Sequence, residues 1–289
     1  MEANPFLPDF IDHRWEKYRA DLKTCRAEFT ETAVHDLRVA TRRLLAALEL
    51  IRALDPHPRI KKLCRSLKSQ LDGFDTLRDV QVMLVDISKT IGSLPELQLF
   101  QQHLQKREKR LLRAAEKHVR AIKLSAFDKR LVKVCEALAA IPAGDLSQRL
   151  LQAVDEAYLT VKQRYGSMDP DRTATIHRVR VAFKKFRYMV ECIQPILPNL
   201  PEAQLKNMQN YQMVMGDIHD VEVFLETLAD FAARTEQFDP EPVHRLYEKT
   251  FAQALSVYLD NKEELNTFWR AMPGTDFPWE LKPKNQEPL

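Results

Sequence analysis

Two ten-residue windows carry the same cations at the same spacing. VHDLRVATRR (Val34 to Arg43) and IHRVRVAFKK (Ile176 to Lys185) share the pattern HxxRVAxBB, where B is basic. His35, Arg38 and Arg42 stand at i, i+3 and i+7, as do His177, Arg180 and Lys184. On a helix each trio falls on one stripe, with Arg187 at the edge of the second and Arg43 and Lys185 set off the main stripes. Such a stripe suits an anion. Arginine presents a fork of donors to phosphate oxygens and lysine a point charge. Histidine adds a cation whose protonated form a bound polyanion favours. Like charges stacked along one helix repel, so a face that gathers them twice, with no acid at those positions, makes most sense opposite an anionic partner.

Further cations extend the pattern. Arg65 and Lys68 share a helix face with Lys61, and Lys206 is the later counterpart of Arg65. Arg78 departs from a strict repeat, its counterpart being His219. Lys106, Arg110, Arg113, Lys117 and Arg120, spaced 4, 3, 4 and 3, form a basic stripe opposite Leu104, Leu111, Ala115, Val119 and Ile122. That stripe faces either the same anion or solvent.

Catalytic and metal chemistry find little support in the residues. The recurring Asp79 and Asp220 read as carboxylates that orient arginines, so no catalytic residue is assigned. No His pair or carboxylate set has metal-ligand spacing, and no glycine-rich phosphate loop or GxSxG is present. Neither a metal nor another cofactor is expected.

The elements that must hold these side chains repeat as well. An offset of 142 pairs Arg38 with Arg180, Ala40 with Ala182, Arg42 with Lys184 and Glu49 with Glu191. Leu77 to Val82 (LRDVQV) matches Ile218 to Val223 (IHDVEV) at 141, one residue having been lost between the motifs. The repeat is therefore a multi-helix unit. Helical patterns are predicted at roughly 10–23, 30–54, 59–91, 96–121, 126–140, 146–165, 173–195, 202–235 and 242–264, with bends near Gly73 and Gly216. Thr30 and Thr173 are the expected caps of the two motif helices, and prolines such as Pro56, Pro142, Pro170 and Pro198 mark the breaks. The predicted core stripes are Leu37, Thr41, Leu44, Leu48 and Ile51 in one motif helix and Val179, Phe183, Phe186, Val190 and Ile193 in the other.

The bulk composition agrees with an all-α fold. The 289 residues include only 6 glycines, no run alternates like a strand, and the 16 prolines act as punctuation. The net charge of +3 hides an asymmetry: residues 1–142 hold 27 Lys and Arg against 19 acids, residues 143–289 hold 17 against 22. The four cysteines are scattered without a CxxC pair, which predicts a reducing cytoplasm. No signal peptide or membrane-length apolar run is read, so no membrane association is expected.

VHDLRVATRRLLAALE and IHRVRVAFKKFRYMVE, supported by LRDVQV and MGDIHDVEV, resemble the CHAD family, the conserved histidine α-helical domain. The resemblance covers residues 10–265, divided into repeats at 10–142 and 143–265, with 266–289 as an irregular tail. It implies two antiparallel helical bundles related by a pseudo-two-fold axis, whose basic helices line a central groove or pore. It also implies binding of inorganic polyphosphate and association with polyphosphate granules. Carried onto this sequence, the contacts are His35, Arg38, Arg42, His177, Arg180, Lys184 and Arg187, with Arg65, Lys68 and Lys206 as neighbours and Arg43, Arg78 and Lys185 as further candidates. A non-enzymatic binder is the expectation. The alternatives are a nucleic-acid-binding helical protein and an enzyme that processes polyphosphate or phosphoesters. Nucleic acid is disfavoured because aromatics do not interleave with the cations of the first motif.

Overall fold

The computed structural model describes residues 6–139 and 143–280. Among them all regular structure is helical: α1 (Phe6–Glu28), α2 (Glu31–Leu54), α3 (Pro58–Thr90), α4 (Leu97–Ala121), α5 (Ser125–Ala139), α6 (Ala143–Gly166), α7 (Thr173–Ile193), α8 (Glu202–Ala232) and α9 (Glu241–Asn261). Short 3-10 turns follow α7 (Gln194–Ile196) and α9 (Lys262–Thr267). Each helix predicted from periodicity is present. The break at Pro142, the repeat boundary at 142/143 and the tail beyond 280 lie outside the described residues.

Local chemistry explains where the motif helices begin. Thr30 caps α2, its Oγ1 accepting from the Ala33 amide at 3.2 Å, a contact worth about 1 kcal/mol. Thr173 does not cap α7. The N-cap is Arg172 with no side-chain hydrogen bond, and Thr173 is already helical. Thr175 takes over locally: its hydroxyl accepts from the Asp169 amide at 2.9 Å and sits 2.7 Å from the Arg172 carbonyl, tying the preceding turn to the helix. The expected core stripes are buried throughout, Leu37, Leu44 and Leu48 in α2 and Val179, Phe183, Phe186 and Val190 in α7 being sealed from solvent. Each such side chain contributes about 1.5–3 kcal/mol by leaving water.

The chain divides into two compact units. The first gathers α1 to α5 with the later part of α8, from His219, and the earlier part of α9, to Ala252. One end of its core stacks Trp15 on Phe127 at 4.5 Å, and the Trp15 indole donates to Asp128 at 3.0 Å. The other end packs Phe100, Leu104, Val80 and Ile87 against Phe224, Leu228 and Phe231. There Phe224 stacks on Tyr247 at 3.6 Å, and the Tyr247 hydroxyl donates to Asp86 at 2.6 Å. Gly73 lets α4 approach α3: a Cβ at that position would stand 3.1 Å from the His118 ring, which itself sits edge-on to Phe74 at 5.9 Å.

The second unit contains α6, α7, the earlier part of α8, the later part of α9 and the C-terminal segment. Its core is aromatic, with Phe183 against Tyr211 and Phe268 and Phe186 against Tyr158 and Trp269. Residues 274–280 form turns and bends without a regular helix, yet they are packed onto the unit. Asp155 accepts from the Trp269 indole at 2.8 Å and from Arg270 Nε and Nη2 at 2.9 and 2.6 Å. Phe277 stacks on Trp279 at 4.6 Å, and the Trp279 indole donates to the Pro198 carbonyl at 3.0 Å.

Candidate anion-binding faces

In the first unit the cations of α2 separate into an anchor and an accessible set. Arg38 is only 6% exposed. Its Nη1 donates to the Phe74 carbonyl at 2.7 Å, and its Nη2 lies 3.4 Å from Asp75 Oδ1. Burial above all, then the charge of Arg42, lowers its pKa to about 10, with Asp75 pulling the other way. The group therefore stays cationic at neutral pH while fastening α2 to α3. Arg42 is half-buried, its Nη2 3.9 Å from the same Asp75 oxygen. His35 and Arg43 are exposed, and Arg43 and Asp36 from α2 line a small cleft with Arg14, Lys17 and Asp21 from α1.

On α3, Arg65, Lys68 and Arg78 are exposed, and Arg78 lies near enough to Arg38 to help depress its pKa. Among the described residues His35, Arg65, Lys68 and Arg78 hold no ion pair. The stripe of α4 turns outward: Lys106, Arg110, Arg113, Lys117 and Arg120 are all exposed, with Arg120 paired to Glu116 at 2.7 Å. The field there registers on His103, whose pKa is lowered by burial and then by Arg107, Arg110, Arg234 and Lys106.

In the second unit the matching arginine lies against the corresponding part of the following helix. Arg180 lies along α8, its Nε 3.8 Å and its Nη2 3.9 Å from the place a Cβ on Gly216 would take. Desolvation raises the pKa of the Asp217 carboxyl and Arg180 opposes that rise. Under the 141 offset Gly216 corresponds to Asp75, so both motif arginines rest on the same turn of the following helix. That turn directly precedes LRDVQV and IHDVEV. His177 and Lys184 are half-buried, while Lys185 and Lys206 are exposed.

Arg187 is a second anchor rather than an open cation. It is 8% exposed, donates from Nε to Gln212 Oε1 at 2.9 Å, pairs through Nη1 with Glu191 and lies 4.4 Å over the Tyr188 ring. Asp75, Asp217 and Gln212 were not picked out from the sequence. The signal available for the acids was their place just ahead of the second motif, although the one-residue loss leaves them out of register.

A sequence profile of the CHAD domain matches residues 9–229. The chain belongs to the CHAD family. Among solved structures, the crystal structure of the CHAD domain from the plant Ricinus communis aligns with a TM-score of 0.66 at 19% identity, covering 92% of this chain and 91% of that one. This CHAD chain thus shares its fold with the plant domain across nearly its whole length. Comparison with curated proteins returns no match. Among the described residues no group of three or more His, Cys, Asp or Glu is placed to hold a metal ion, and no helix is long and apolar enough to cross a membrane.

Proposed function

We propose that this CHAD protein binds inorganic polyphosphate through the basic faces of its motif helices and their neighbours, without turning it over. The reading is carried by His35 on α2 and Arg65, Lys68 and Arg78 on α3, exposed cations that hold no ion pair among the described residues. A flexible chain with about one charge per phosphate takes many weak contacts of this kind, each worth at most about 1 kcal/mol, and sums them with the release of counterions. Buried Arg38 supports these cations by fixing α2 on α3. Arg180 is its equivalent in the second unit, beside Lys184. Arg187 positions α7 and is not assigned a ligand contact.

Nucleic acid is the weaker reading. Of the aromatics beside the second motif, Phe183 and Phe186 are fully buried, and the half-buried Tyr188 ring already has the Arg187 guanidinium 4.4 Å over one face. Residence at cytoplasmic polyphosphate granules, or a scaffolding role there, follows from the proposed ligand.

Competition separates the possibilities. Labelled long-chain polyphosphate bound to the full chain is challenged with unlabelled polyphosphate, DNA, RNA and ATP, while free phosphate is followed. Displacement by polyphosphate alone, without phosphate release, is expected. Equal displacement by nucleic acid, or steady phosphate release, would contradict the proposal.

A further inference from the structure

Away from the motif faces, the start of α3 and the length of α5 enclose an open groove of about 640 Å³ in the first unit. That volume lies within the roughly 300–1,000 Å³ typical of small-molecule sites. Five cations line it: Arg59 and Lys62 from α3, and Lys129, Arg130 and Lys133 from α5. They face two carboxylates, and one of these, Asp128, is already engaged by the Trp15 indole at 3.0 Å. Among the described residues none of the five cations holds an ion pair. Arg59 and Lys62 project about 100–160° around α3 from the face of Lys61, Arg65 and Lys68, and the groove is lined by none of the cations assigned above.

We infer that this groove is a separate binding site for a compact oligophosphate, of the size of inorganic tripolyphosphate. The charge is concentrated: two forked guanidiniums and three ammoniums converge on one cavity instead of spreading along a helix. Arginine from one helix and lysines from another reach a short anion from two sides, which a row on a single helix cannot do. No aromatic side chain lines the groove, and its apolar wall is Pro58 with the 57% exposed Val132. A nucleobase therefore has nothing to stack on, and the ligand is recognised through its phosphates.

Titration calorimetry on the full chain with inorganic tripolyphosphate tests the site. Lys129→Gln/Lys133→Gln and Arg59→Gln/Lys62→Gln alter exposed side chains and are each expected to weaken tripolyphosphate roughly tenfold. Arg42→Gln/Lys184→Gln, aimed at the motif faces, is expected to leave that affinity within about twofold while weakening long-chain polyphosphate. Failure of the polyphosphate proposal would appear only in the long-chain arm, and failure of the groove only in the tripolyphosphate arm. A readout free of substitutions is protection of the Lys62, Lys129 and Lys133 amines from acetylation, mapped by mass spectrometry with exposed Lys109 as reference. Selective protection by tripolyphosphate, but not by sulfate at matched ionic strength, is expected. Unchanged affinity in both groove variants, or equal protection by sulfate, would overturn the assignment.

Discussion

Arg38 donates to the main-chain oxygen of Phe74 at 2.7 Å while sharing Asp75 with Arg42, so one of the three spaced cations of the first motif is spent inside the protein. Its charge organises the face and its neighbours meet solvent. Replacing Arg38 with Gln is expected to cost about 1.5–3 kcal/mol, because a charged hydrogen bond to a buried carbonyl is lost. Urea denaturation measures the loss. Arg42→Gln, at a more open position, is expected to cost less than about 1 kcal/mol and to act on ligand affinity instead.

Arg187 and exposed Lys206 make the matching contrast in the second unit. Arg187→Gln removes the bonds to Gln212 and Glu191 and is expected to destabilise by about 1–3 kcal/mol while leaving the salt dependence of polyphosphate binding unchanged. Lys206→Gln is expected to do the reverse. Paired denaturation and binding curves for the two variants check this, and equal effects on both quantities would remove the distinction between anchor and contact.

At Gly73, alanine would gain about 1 kcal/mol of helix propensity but its Cβ meets the His118 ring at 3.1 Å. Gly73→Ala alone is expected to be neutral or destabilising. Combined with His118→Ala it is expected to recover about 1 kcal/mol of coupling in a double-mutant cycle. Additive effects would mean that the ring moves aside freely.

Alkaline stability follows from buried acids. Burial pushes the hydroxyls of Tyr18 and Tyr158 up to about 12 and the thiol of Cys25 up to about 11. A group whose folded pKa is raised contributes stability that is complete below its unfolded value and lost as pH climbs through the folded one. Arg38, lowered to about 10, works in the opposite sense over the same range, but it is one group against three. Denaturation midpoints are therefore expected to fall from about pH 9, where Cys25 begins to ionise in the unfolded chain, to about pH 12. Tyr18→Phe should flatten part of that fall, at a neutral-pH cost of about 1–3 kcal/mol for leaving the buried Gln70 amide oxygen unmatched.

Much of this was legible in the sequence because helical periodicity reports which face is apolar, and Leu37 to Ile51 and Val179 to Ile193 are buried as that periodicity requires. Periodicity does not report what a cation touches. Arg38 and Arg42 share a stripe, yet only Arg38 reaches a carbonyl on α3, since that depends on how far the next helix stands from it. Arg187 was hidden for the same reason, its partner Gln212 being remote in sequence and chemically ordinary. The division of α8 and α9 between units was also unreadable, because a repeat records kinship along the chain and a compact unit records packing across it.

The most direct measurement is the affinity of the full chain for long-chain polyphosphate as a function of salt. Its logarithm is expected to fall linearly and steeply with the logarithm of salt concentration, as for other polyanions. The slope should shrink by roughly one for each accessible cation neutralised in Arg65→Gln, Lys68→Gln or Arg78→Gln. ATP, with few phosphates, should compete poorly. An affinity insensitive to salt, a slope unchanged by all three substitutions, or ATP competing as well as the long chain would contradict binding by rows of exposed cations.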